Sequence, residues 1–146
     1  MKLNFPEYSF RIVREKNSIK IFDPIRKKFF VLTPEEWVRQ HVIQYLIQDC
    51  KISPALIAVE RAFEFNQLKK RFDILVFNHL GLPHLLVECK SFEVNLSNET
   101  LMQISTYNKI FNVKHLWISN GQQHHSFSLN DNADGFIHTS SEKLIL

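Results

Sequence analysis

The segment Leu-Leu-Val-Glu-Cys-Lys-Ser, residues 85–91, ends an apolar run with Glu88 and Lys90 two positions apart. In an extended chain that spacing puts both side chains on one face. A second apolar run, Arg-Phe-Asp-Ile-Leu-Val-Phe at 71–77, carries Asp73 near its start. If the two runs pair as strands, a register exists that sets Asp73 near Glu88. Two carboxylates with nearby carbonyls form an oxygen-rich site of the kind that hard cations such as Mg²⁺ or Mn²⁺ prefer. A lysine beside such an ion can orient or deprotonate water, or stabilise charge on a phosphate. The reaction class this constellation implies is metal-assisted phosphodiester hydrolysis. Acids and lysines at strand ends are ordinarily solvated, and a Glu-x-Lys pair also arises by chance. The weight therefore falls on the elements that carry the three residues.

Those elements read as follows. Residues 18–32 give two short strands around an Asp23-Pro24 turn. Thr33 is an N-cap, Pro34 suits the first helical position, and Glu36 falls where a capping box places its acid. Val38, Val42, Tyr45 and Leu46 continue at helical spacing, which predicts a helix over 34–49. Residues 57–65 alternate, with Ile57, Val59, Phe63 and Phe65 on one face and Glu60 and Glu64 on the other. The runs at 71–77 and 84–91 follow with short connections, as in an antiparallel meander. A Ser97 or Asn98 cap opens a second helix over 97–112, with Leu101, Ile104, Asn108 and Phe111 as its stripe. His115–Gly121 is a buried strand ending in a turn, and the polar remainder has strand candidates at 126–129 and 135–138. Three meandering strands and a helical crossover to a fourth imply an α/β (α+β) fold, a mixed sheet flanked by helices in the order αβββαβ, with a hairpin in front.

Composition sets outer bounds. The 146 residues suit one domain, and 45% hydrophobic content with 13 Phe supports a packed core. A net charge of +3 permits a nucleic-acid partner without demanding one. The basic residues cluster at Arg26-Lys27-Lys28 and at Lys69-Lys70-Arg71, where contact with phosphates competes with a solvated turn. Cys50 and Cys89 form no disulfide framework or metal motif, and Cys89 reads as a small buried apolar residue. No signal-peptide core is evident at the N-terminus, and the longest apolar runs are too short to span a bilayer. A cytoplasmic protein without a membrane partner is expected. His115, His124, His125 and His138 match no zinc spacing and read as surface residues, while Trp37 and Trp117 read as core.

The order of elements, with Asp73 followed by Glu88-Cys89-Lys90 on the next strand, resembles the PD-(D/E)XK nuclease superfamily. Phe72 stands where the signature has its often-missing proline. "LTPEEWVRQHVIQYLI", "KKRFDILVF", "LLVECKS", "QISTYN" and "WISNG" look like the N-terminal nuclease domain of type I restriction enzyme R subunits, above all small stand-alone proteins sharing it. The likeness covers residues 20 to 121 or so. It implies a single restriction-endonuclease-like domain over 1–146, with a core near 33–121, the hairpin at 18–32 and a tail at 122–146. It further implies a Mg²⁺- or Mn²⁺-dependent DNA endonuclease in which Asp73, Glu88 and the Cys89 carbonyl hold the ion and Lys90 acts on the water or the scissile phosphate. Gln103 and Tyr107 match the family's Q-x-x-x-Y motif, and their spacing places both on one helical face. The superfamily often adds an acid from its first helix. Glu35 is favoured over Glu36, which has a capping role, and Glu60 is a further candidate.

The chain has no Gly-x-x-x-x-Gly-Lys-Ser/Thr loop, so ATP-driven translocation would require a separate helicase, translocase or other restriction subunit. A homodimer is compatible with cutting two strands. The rival expectation is a non-catalytic module on the same fold that binds nucleic acid or a protein. A nuclease for RNA or single strands is a third.

Overall fold

In the computed structural model, residues 1–65 and 67–146 are described, and for 63, 65, 68 and 110 the backbone alone. Three strands, β1 (Ile12–Glu15), β2 (Ser18–Asp23) and β3 (Lys28–Val31), form an antiparallel sheet. The expected hairpin is thus a three-stranded meander, because the exposed strand 12–15 lacks the apolar alternation that would reveal it. Asp23 shapes the turn: its Oδ1 accepts the amides of Ile25 and Arg26 at 2.7 and 2.8 Å.

Helix α1 (Pro34–Gln44) begins as its sequence dictates, with the Thr33 hydroxyl accepting the Glu36 amide at 3.1 Å. The capping box is only half formed. The Glu36 carboxylate binds Arg26, Arg39 and Gln40 instead of returning to Thr33. The helix runs on as a wider π-helical turn at Tyr45–Asp49.

The main sheet has six strands in sequence order: β4 (Ile57–Phe65), β5 (Leu68–Phe77), β6 (Pro83–Cys89), β7 (His115–Ser119), β8 (His124–Leu129) and β9 (Phe136–Ser140). All neighbours are antiparallel except β6 and β7, which helix α2 (Asn98–Asn108) joins as a parallel crossover. The fold is a mixed α/β arrangement with a restriction-endonuclease-like core. The polar segment after Gln122 completes the sheet with β8 and β9. Lys69, Lys70 and Arg71 lie inside β5, which starts three residues earlier than the apolar run; they do not form a turn.

Two cores sandwich the sheet. Alternate residues Leu85, Val87 and Trp117 pack under α1 with Val38, Val42 and Leu46. Their neighbours Leu86, Leu116 and Ile118 pack against α2 through Leu101 and Ile104. Trp117 is fully buried, Trp37 half-buried, and Cys89 buried as expected. His124 and His125, expected at the surface, are buried because β8 is an interior strand. His124 is fixed between the Ser119 hydroxyl and the Asn4 carbonyl, and His125 contacts the exposed His138. Among the described residues no helix is long and apolar enough to cross a membrane.

Gly121, at φ +86°, ends β7 where the N-terminal segment crosses it. A Cβ there would lie 2.9 Å from both Leu3 methyls and 3.1 Å from Val38 Cγ2. Gly121→Ala is expected to cost about 2 kcal/mol, lowering Tm by about 4–8 °C. An unchanged thermal melt would show that the crossing tolerates a side chain.

Candidate functional site

The β4–β5–β6 ladder opens around Glu60 and Asp73. Pairing of β4 with β5 runs through Val59↔Ile74 and resumes at Arg61↔Phe72, skipping Glu60 and Asp73. Pairing of β5 with β6 ends at Ile74↔Val87, one step before Asp73 would face Glu88. Glu60 sits at φ +51°, a left-handed conformation that is costly for a side-chain-bearing residue in a strand. The inside–outside alternation of β5 also changes phase here: Phe72 packs with the α2 core and Ile74 with the α1 core. Backbone groups freed by the opening need partners. Asp73 supplies one, its Oδ2 accepting the Cys89 amide at 2.7 Å.

Around this opening the acids fall into two groups. On the α1 side, Glu35, Glu60 and Asp73 each bring a carboxylate oxygen within 4.8 Å of the others. Arg39 joins them, its Nη2 lying 2.8 Å from Glu35, 2.6 Å from Glu60 and 3.1 Å from Asp73. Its Nη1 pairs with Glu36, which also pairs with Arg26. On the α2 side, Glu88 and Lys90 lie 3.4 Å apart and line a hollow of about 410 Å³ with Arg71, Gln103 and Tyr107. Asp73 ties the two groups together, bonded to the Cys89 backbone and acting electrostatically on Glu88.

The candidates from the sequence therefore sort clearly. Asp73, Glu35 and Glu60 converge. Glu88, Lys90, Gln103 and Tyr107 share the hollow beside them. Glu36 is buried in ion pairs with the two arginines and stays out of the opening. Arg39 was not anticipated. Its signal was present as Glu35 and Glu36 four and three residues earlier, the helical spacing for ion pairs, beside the apolar Val38 and Val42.

The electrostatics follow from crowding. Burial, then the neighbouring Asp73 charge, push the Glu88 carboxyl up to about 7, against the pull of Lys90. Burial also raises Asp73, although Arg39 and the Cys89 amide oppose it. Two crowded carboxyls, both pushed upward by burial, form a donor set that a hard divalent cation would relieve. The oxygen donors present thus fit Mg²⁺ or Mn²⁺.

Below about 7, folded Glu88 keeps a proton that the unfolded chain has already released, so its contribution stabilises the fold at low pH and is lost as pH rises through about 7. The buried His41, His124 and His125, whose values burial lowers, act in the opposite sense as pH falls. Comparing wild type with Glu88→Gln cancels them. In chelator, wild-type stability should decline relative to Glu88→Gln between about pH 5 and pH 8. Parallel stability profiles would refute a strained carboxylate at 88.

No curated protein matches the chain in a sequence comparison. A family model described as the type I restriction enzyme R protein N terminus matches residues 34–140, from the start of α1 to the end of β9. That span takes in the whole six-stranded sheet, both helices and every acid of the opening, and the chain belongs to this family of restriction-enzyme N-terminal domains.

Proposed function

We propose that the chain is a metal-dependent endonuclease that hydrolyses DNA phosphodiester bonds. The observation that carries this reading is the opened ladder, where Asp73 and Glu88 stand one step beyond the last β5–β6 pair and Glu88 lines a hollow together with Lys90. Asp73, Glu88 and the Cys89 carbonyl would hold Mg²⁺ or Mn²⁺, which when bound supplies charge to the scissile phosphate and acidifies water. Lys90 offers its ammonium to a phosphate oxygen or to the attacking water from beside Glu88. Gln103 and Tyr107 reach into the hollow from α2 and would position the backbone.

The hollow also suggests a path for the nucleic acid. Tyr107, 52% exposed, lines both it and a second hollow of about 560 Å³ that carries Lys70 and Lys109. Lys70 Nζ lies 3.5 Å from the Tyr107 ring centroid, which orients the ring at the junction. Phosphates leaving the site along this line would meet two lysines. Membership of a restriction-enzyme family supports DNA as substrate and other restriction subunits, including a translocase, as partners. Two chains acting together would cut both strands.

A non-catalytic binding module is the second reading, favoured by Arg39, which already pairs the α1-side acids. Cleavage separates the two. With Mg²⁺ or Mn²⁺ and plasmid DNA, nicking should fall at least about a hundredfold in Asp73→Ala, with metal affinity lost in parallel. Salt-dependent DNA binding with no cleavage by the wild type would leave the binding module standing. Lys70→Ala combined with Lys109→Ala should weaken binding across all sequences and reduce the salt slope by about 2. An unchanged slope would place the DNA elsewhere.

A further inference from the structure

The Arg39 side chain is 5% exposed, and its Nη2 lies among oxygens of Glu35, Glu60 and Asp73. That nitrogen has two hydrogens for three carboxylates. Its neighbour Nε is buried with no partner among the described residues, so the guanidinium is oriented toward the acids at the expense of one of its own donors. A cation held by three carboxylates from α1, β4 and β5, at 2.6 to 3.1 Å, occupies the place a metal ion would take among the same oxygens.

The charges agree. Ion pairs link Asp23, Glu35, Glu36, Glu60, Asp73 and Glu88 to Arg26, Arg39, Arg71 and Lys90 around the opening. With all acids ionised, this set lacks two positive charges, the charge of one divalent ion. Its most exposed members, Glu35 and Arg71, are of opposite sign, so discounting both leaves the deficit unchanged.

We propose that Arg39 permanently fills the cation position bounded by Glu35, Glu60 and Asp73, so that the protein takes one divalent ion, held by Asp73 and Glu88, and not two. This rests on the metal-dependent reading above. Arg39 is then a positioning residue: it fixes Asp73 through Oδ1 while Oδ2 receives the Cys89 amide. Glu35 and Glu60 serve as its counter-ions and not as metal ligands.

Counting bound Mn²⁺ by calorimetry and by the loss of its free-ion resonance tests this. Wild-type protein should bind one ion. Arg39→Ala should bind two, and the second should disappear when Glu60→Gln is added. In the wild-type background, Glu60→Gln should still bind one ion, with affinity lowered by no more than the roughly 10–100-fold of a change outside the ligand shell, a test that keeps Arg39 in place if its removal prevents folding. Two ions in the wild type would overturn the inference and leave the nuclease reading intact. So would a single ion in folded Arg39→Ala, or no bound ion in Glu60→Gln. Wild-type protein that binds no Mn²⁺ would overturn the metal-dependent reading and this inference with it.

Discussion

One buried guanidinium organises the end of the molecule where chemistry could occur. Arg39 touches carboxylates from its own helix and from two strands, so the position of α1 relative to β4 and β5 is set by charge as well as by the packing of Val38, Val42 and Leu46. Burying such a cluster is expensive, and the attraction among its members offsets that cost only while every partner is present. Removing the buried Arg39 would leave uncompensated buried charge, at about 3–5 kcal/mol. Arg26 extends the cluster outward, joining Glu36 to Asp23 and so tying the small sheet to the helix.

The sheet supplies the complementary constraint. A strand buried on both faces has no room for a carboxylate unless its ladder is interrupted, and β5 is apolar on both faces from Ile74 to Val76. The interruption at Glu60 and Asp73 rotates β5 between its two cores and frees the Cys89 amide, which Asp73 then takes. Backbone conformation, hydrogen bonding and charge are settled together by the same few residues. The left-handed backbone at Glu60 carries a local cost of about 1 kcal/mol or more, tolerated where the surroundings over-determine the conformation.

Much of this was legible in the sequence, and the exceptions have physical causes. Thr33-Pro34 and Ser97 announce their helices because capping is local, and both hydroxyls accept the expected amides. The unbroken apolar run Leu85-Leu86-Val87 announces a strand buried on both sides. A register that brings Asp73 near Glu88 could be foreseen because short connections imply antiparallel neighbours, and the pairing stops one step before the two would face each other. What failed depended on neighbours distant in sequence. The strand candidate at 126–129 lies within β8, but His124 and His125 at its start read as surface residues, since they become interior only when β8 takes its place between β7 and β9. Glu36 was assigned a local capping role, but Arg26 and Arg39 offer its carboxylate a stronger partner than a backbone amide. Arg39 was passed over because a long cation on a helix is normally solvated, and only the fold shows that its tip is enclosed.

The two halves of the site answer to different demands. The α1 half is pinned, with the acids bound to arginines in a geometry that a planar guanidinium enforces better than a lysine would. The α2 half is open, with Lys90, Gln103 and Tyr107 around a hollow large enough to admit part of a polymer chain. Asp73 belongs to both: one carboxylate oxygen serves the fixed half and the other the edge of β6. A residue shared in this way transmits the rigidity of the core to the open side, so the group most in need of fixed placement is the one that the fold can least afford to move. That is why the burial and the neighbouring Asp73 charge that lift Glu88 to about 7 persist without collapsing the site, since neither Asp73 nor Glu88 can relax away from the other while the strands beneath them stay paired.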